Sequence, residues 1–345
     1  MIAWTRLLVL IAAISMPCFS QASFNLHTYF KKYIGLNEKQ IRDIRNGNGL
    51  AKTLPSRIPD EIFVFGAIYI HAKPQNYIAL SRDYDRLRNL PGYPAIGEFS
   101  SPPQPSDLEG FALDSEEIKS LKSCKAGDCP FQLPAASIEE VQKSIDWSAP
   151  DVTTQIKQII RERALKRLSA YQREGNRALG VYNDKQEPID IAAQFAYMLS
   201  YSRALPQHLP DFYNYLLHYP QGKPANVEDT FYWAKVEFGL KPTLRMVHVL
   251  TMRGSADGKP AYVIAEKQLY ASHYFRTALD LTFCIPDESD PNPSGFYLIK
   301  TMGSEQGGLM GFKGSIVRRV ALERSASSLQ KSLAAIKAVL EQESQ

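Results

Sequence analysis

The chain has 345 residues, 44% of them hydrophobic and 22% charged, with 40 basic residues against 36 acidic ones and a formal net charge of +4. The charges are interspersed, with Lys31-Lys32 and Arg318-Arg319 as the notable basic pairs. The concentrated positive stripe that neutralises a phosphate backbone is missing, so nucleic acid is not an expected partner. Over this length the hydrophobic share can build a sizeable core in one large domain or two smaller ones.

The segment Met1 to Ala22 reads as a secretory signal peptide. Arg6 precedes the apolar run Leu7 to Ile14, and Ser20-Gln21-Ala22 puts small residues where a signal peptidase reads. That run is too short to span a bilayer, and no later run reaches membrane length. An uncleaved anchor is the alternative, as is a lipoprotein through Cys18, although Met16-Pro17 before it makes a poor lipobox. The remainder, 23–345, is expected to be periplasmic or secreted and to meet a membrane only transiently, if at all.

Phe24 to Leu36 spaces Leu26, Tyr29, Phe30, Tyr33 and Ile34 as a helix does. Asn37 with Gln40 makes a capping box for a second helix that ends at Asn46-Gly47. Glu61 to His71 is a nearly continuous apolar run of strand composition, and Lys73-Pro74 introduces a helix over Gln75 to Leu90. The proline-rich stretch Pro91 to Pro105 is predicted as a linker or lid.

Helix signals resume at Ser115, Ser137 and Asp151, the last opening a run through Leu179 with an apolar stripe at Ile156, Ile160, Leu168 and Tyr171. Between the first two, Cys124 and Cys129 flank Lys125-Ala126-Gly127-Asp128. In an oxidising compartment these cysteines form a disulfide whose short loop contributes on the order of 2 kcal/mol. A metal pair is the competing reading, but no Cys or His stands close enough in sequence to complete a tetrahedral set. Cys284 is then an odd thiol, expected to be buried. Further helices are predicted at Ile189 to Arg203, Leu209 to Leu217 and Val227 to Glu237.

From 241 to 345 the pattern changes. Four runs, LRMVHVLTM, AYVIAEKQLYA, ALDLTFCI and GFYLIKTM, are short, rich in β-branched or aromatic residues and separated by turn formers. A long helix then closes the chain, regular from about Ser315 to Gln342, with Leu329, Leu333, Ile336 and Leu340 on one side. The expected fold is a single α+β domain: an antiparallel sheet, from segments 52–90 and 241–345, wrapped on the C-terminal helix, with a helical insertion over 91–240.

This order of elements, and the phrase VFGAIYIHAKPQNYIALSRDYDRL in particular, resembles the helix-grip fold of the START and polyketide-cyclase superfamily (SRPBCC). The resemblance covers 52–90 and 241–345. It implies a cavity between sheet and terminal helix that holds an apolar, lipid-like small molecule, and some members are cyclases or hydratases. The chain is also similar to secreted bacterial proteins that share its Cys-x4-Cys and Ser-His-Tyr phrases, which implies no activity.

Strand alternation places His248 on an apolar face with Leu244, Met246, Leu250 and Met252, either as a hydrogen-bonded core residue or as the polar group that orients a ligand. On the next run Glu266, Gln268 and Tyr270 share a face, with Lys267 and His273 on the other. They form a cavity wall with a carboxylate and a phenol suited to acid–base work, or a solvent face of paired polar residues. Asp280 and Lys300 interrupt apolar strands, so each needs a partner or a function. His248, Glu266, Gln268, Tyr270, His273 and Asp280 are thus the candidate ligand-binding residues. The chain lacks GxSxG, HExxH, a P-loop and Ser-x-x-Lys, so no common hydrolase, zinc-protease or nucleotide-binding motif supports a reaction, and no cofactor or metal is expected. An envelope scaffold, with Pro91 to Pro105 as a contact loop, is the remaining alternative.

Overall fold

The computed structural model describes residues 25–89, 92–237, 241–256, 259–287, 295–307, 309 and 311–343. The predicted signal peptide lies outside them. The helices are α1 (Leu26–Thr28, continued by a π turn over Tyr29–Ile34), α2 (Glu38–Arg45), α3 (Pro74–Ser81), α4 (Tyr84–Arg88), α5 (Ser115–Lys122), α6 (Ala135–Ser144), α7 (Val152–Glu174), α8 (Ile191–Leu199), α9 (Ala204–His208), α10 (Pro210–His218) and α11 (Gly311–Gln342). The strands are β1 (Leu50–Leu54), β2 (Glu61–Ile70), β3 (Ala95–Glu98), β4 (Val181–Tyr182), β5 (Ile189–Asp190), β6 (Val227–Val236), β7 (Thr243–Ala256), β8 (Lys259–Ala271), β9 (Phe275–Pro286) and β10 (Phe296–Gln306). The fold is α+β. Among the described residues an eight-stranded antiparallel sheet runs in the order β1-β2-β10-β9-β8-β7-β6-β3, and β4 pairs with β5 apart from it.

Local chemistry explains the punctuation. At α2 the Asn37 side-chain Oδ1 accepts from the Gln40 backbone N–H at 2.9 Å and the Gln40 Oε1 accepts from the Asn37 backbone N–H at 3.0 Å, satisfying two N-terminal donors. The predicted helix over Gln75 to Leu90 is two helices, because Arg82 ends α3 and Asp83 caps α4. Cys124 and Cys129 form the expected disulfide, with Gly127 at φ +84° turning the chain between them, and Cys284 is a buried free thiol.

Two expectations fail. Val227 to Glu237 is not a helix but β6, which lies between β7 and β3. Val227, Phe231 and Ala234 suit a helical spacing, yet the same stretch alternates Val227, Phe231 and Trp233 onto one side and is rich in the β-branched and aromatic residues that fit a pleated surface. The stretch Pro91 to Pro105 is also not all loop, since Ala95–Glu98 adds β3 as the edge strand along β6.

The sheet is covered on both faces. On one, called here the helix face, α11 lies across β2 and β1, with α3 and α4 beside it. Leu329, Leu333 and Leu340 bury there with Val64, Ile68, Ile264 and Leu298. Gly66 lets the helix approach, because a Cβ on it would fall 2.8 Å from both Leu329 Cδ2 and Leu333 Cδ1. On the other, insertion face, helices α7, α8 and α10 bury Leu168, Tyr171, Phe195 and Phe212 against Leu244, Leu250 and Ala265. The N-terminal helices cover the rest of that face through Phe30 and Ile44 on Phe65 and Ile299.

Gly66→Val should therefore push α11 off β2 at a cost of at least about 1–3 kcal/mol, the usual range for overpacking a filled core. Denaturant unfolding measures it. An unchanged midpoint would mean that the helix does not press on β2 as described.

Candidate functional site

The register assembles a charged patch in the middle of the helix face. One row across the sheet reads Val64, Met302, Asp280, Glu266, Val249 and Thr230, so Glu266 and Asp280 are direct cross-strand neighbours. The adjacent row reads Gly66, Lys300, Thr282, Ile264 and Thr251. Residues directly opposite in such rows have Cβ atoms about 5 Å apart. Two carboxyl groups and a lysine therefore occupy neighbouring positions on a covered face, and Arg245 of β7 acts on Asp280 from the same side.

Tyrosines close over this patch. The Tyr232 hydroxyl donates to Glu266 Oε1 at 3.0 Å, and Lys300 Nζ donates to the Tyr77 hydroxyl of α3 at 3.4 Å. Tyr84 of α4 packs its ring 5.4 Å from that of Tyr232 and hydrogen-bonds Thr230. Tyr93, in the connection to β3, lies within the electrostatic reach of Glu266, Arg245, Lys300 and Asp280.

The electrostatics follow from depth. Burial pushes Asp280 up to about 6, the Glu266 charge adds to the rise, and Arg245 and Lys300 oppose it. Burial works against the Lys300 ammonium, but Tyr77, Glu266 and Asp280 outweigh it and hold its pKa above the ordinary lysine range. Burial raises Tyr77, Tyr84, Tyr93 and Tyr232, which stay protonated as hydroxyl donors at neutral pH. Glu266, Asp280 and Lys300 nevertheless keep part of their surface accessible, while neighbours such as Val64 and Ile264 are buried. Arg245 Nε is buried here without a hydrogen-bond partner, and so is Gln268 Oε1, although the Gln268 amide nitrogen donates to the Phe275 carbonyl at 3.0 Å.

The other candidates lie elsewhere. Tyr270 does not share the face of Glu266, because a bulge sets Met246 opposite Tyr270 but Val247 opposite Gln268, leaving Leu269 as the extra residue. Tyr270 instead packs on the insertion face, with the Arg167 guanidinium 5.4 Å from its ring. His273 follows β8 and serves the insertion: its Nδ1 lies 2.8 Å from the Pro130 carbonyl and its Nε2 3.3 Å from Glu117 Oε1.

His248 is a core residue. It is wholly buried on the insertion face, with Nε2 2.8 Å from Asp229 Oδ1 and Nδ1 3.0 Å from the Tyr171 hydroxyl. The carboxylate only accepts, so Nε2 carries the proton and Nδ1 accepts from Tyr171. Burial lowers its pKa to about 4 despite Asp229. With both nitrogens engaged, it offers no hydrogen bond to a ligand. Lys267, its cross-strand neighbour, is also buried, bonded to Asn176 Oδ1 and 4.0 Å from the centre of the Phe195 ring. Burial holds its pKa well below the ordinary lysine range.

Three of the six candidates, Glu266, Gln268 and Asp280, thus share a site, with Lys300, Arg245 and a ring of tyrosines. Lys300 carries a sequence signal as a charge inside an apolar strand. Tyr232 has none that can be read while its segment is taken for a helix. No group of His, Cys, Asp and Glu suited to a metal ion occurs among the described residues. No protein-family model and no curated protein matches the chain, so the site is read from its own geometry.

Asp280 supplies a test of sign. A folded pKa near 6, above the ordinary 3.8, means that its contribution to stability is fully present below about pH 4 and is lost as pH rises through 6. Asp280→Asn should therefore stabilise the protein relative to wild type at pH 7.5 and leave stability nearly unchanged at pH 4. Chemical denaturation at the two pH values checks it, and a variant less stable at pH 7.5 would show that the ionised carboxylate is the favoured form.

Proposed function

We propose that the protein binds a small molecule in the concavity lined by Glu266, Asp280, Lys300 and Tyr232 beneath α3, α4 and α11. The observation that carries this reading is the convergence of two carboxyls, two cations and several protonated tyrosines on one covered face that retains accessible surface. Such a group is expensive in a protein core unless it has partners or a purpose. Hydrogen-bonding groups dominate the centre and Val249, Ile264 and Met302 surround it. The ligand is therefore an apolar or aromatic frame that carries hydroxyl or carbonyl groups, rather than a bare hydrocarbon.

The location between sheet and helices is the one that the helix-grip resemblance implies, and it supports this reading. The signal-like segment Met1 to Ala22 and the Cys124–Cys129 disulfide support a site of action outside the cytoplasm. Among the described residues no helix is long and apolar enough to cross a membrane.

One observation favours a catalytic reading of the same site. An aspartic acid pushed up to about 6 exchanges its proton just below neutral pH and stands directly across from a second carboxyl group, an arrangement open to acid–base chemistry. Binding comes first in either case.

Native mass spectrometry of protein isolated from its own envelope fraction, and an NMR fragment screen with hydroxylated and ketonic ring compounds, test the proposal. A bound species or fragment hits that Glu266→Gln weakens about tenfold, without lowering the melting temperature, are expected. A ligand-free protein in which no fragment perturbs the Glu266 or Asp280 carboxyl resonances would sink it.

A further inference from the structure

We propose that a second cleft, on the insertion face of the sheet, holds the tail of a long-chain carboxylate with its head at a basic rim. This goes beyond the reading above, since the cleft lies across the sheet from Glu266 and Asp280. It measures about 680 Å³, within the range of about 300–1,000 Å³ common to small-molecule sites.

The cleft exists because two apolar layers over one sheet face do not meet. The insertion forms one layer and the N-terminal helices the other, and the half-buried side chains of Leu54 and Phe283 touch both. Leu54, Phe63, Leu279 and Leu281 make the floor between them, with Met198 of α8 as a wall. Gly303 keeps the floor open: a Cβ there would come within 2.7 Å of the Phe63 ring, which lies stacked at 4.2 Å on Tyr201. Tyr33 ties the two sides together by donating to Gln207 Oε1 of α9 at 2.8 Å.

Charge selects the occupant. Lys32, Lys52, Arg57 and Arg203 line the cleft, and among the described residues no carboxylate does. Arg57 is already held by Glu61 at 2.8 Å, and Lys52 by the Ile34 carbonyl at 3.2 Å. Lys32 and Arg203, both exposed, make no ion pair among the described residues, so they remain to meet an anion. An apolar trough lined by Lys32, whose ammonium rests 5.6 Å from the Tyr33 ring centre, and Arg203, with no ion pair to either among the described residues, fits a single-chain amphiphile with an anionic head and opposes a cationic one.

Calorimetric titration of the intact protein with dodecanoate, dodecanol and dodecyltrimethylammonium, each below its micelle-forming concentration, tests this. Dodecanoate should bind, with dodecanol about tenfold weaker and the ammonium weaker still. The exposed double substitution Lys32→Gln with Arg203→Gln should bring dodecanoate down to the level of the alcohol and leave the alcohol unchanged. Ala204→Trp, which fills the mouth, should abolish binding of all three, whereas Glu266→Gln across the sheet should change none. The proposal is overturned if wild type does not bind dodecanoate, if it binds the ammonium as well as the carboxylate, or if the double variant retains full carboxylate affinity.

Discussion

The structure depends on a sheet that is covered on both faces. A strand in the middle of such a sheet has no solvent side, so each polar residue on β8, β9 or β10 must be neutralised by a partner or reached by solvent through a gap. For the ionisable residues His248 and Lys267 on the insertion face the solution is pairing: Asp229 holds His248, Tyr171 holds its other nitrogen, and Asn176 accepts from Lys267. On the helix face it is a mixture. Glu266, Asp280, Lys300 and Arg245 offset one another, yet they keep accessible surface and leave buried polar atoms unpartnered. That difference makes His248 and Lys267 parts of the core and sets the Glu266 and Asp280 patch apart as the proposed site.

The contact of α11 with β2 fixes one side of this arrangement. Gly66 admits Leu329 and Leu333 closely against the sheet. The charged patch lies farther along, on β8, β9 and β10, with the tyrosines of the shorter helices α3 and α4 beside it. A helix of 32 residues anchored at one edge leaves the remaining cover to helices of 8 and 5 residues, which have far less buried surface to hold them.

Much of the fold was legible in the sequence because its long strands are apolar runs rich in β-branched and aromatic residues and bounded by turn formers. β2 and β7 to β10 each match a predicted run to within a few residues, and Leu329 and Leu333 bury as their helical spacing implies. β1 and β3 are too short to carry a pattern, and β6 satisfies helical and strand periods at once. The site was legible only in part. Glu266, Asp280 and Lys300 stand out singly as charges inside apolar strands, but they come from three strands, and their convergence is a property of register. The bulge at Leu269 moves Tyr270 to the other face with no glycine to announce it. His248 read from the sequence as a core group before a ligand group, and its tertiary partners bear out the core reading.

The central claim is that Asp280 sits at depth beside Glu266 in a compartment that solvent still reaches. Titration of its side-chain carboxyl by carbon-detected NMR in the intact protein measures this directly. A midpoint near pH 6, moved by Glu266→Gln to a lower value because the neighbouring negative charge is gone, is the predicted result. A midpoint below 4 that ignores the Glu266 substitution would contradict it, since Asp280 would then be an ordinary ion-paired carboxylate on a structural face.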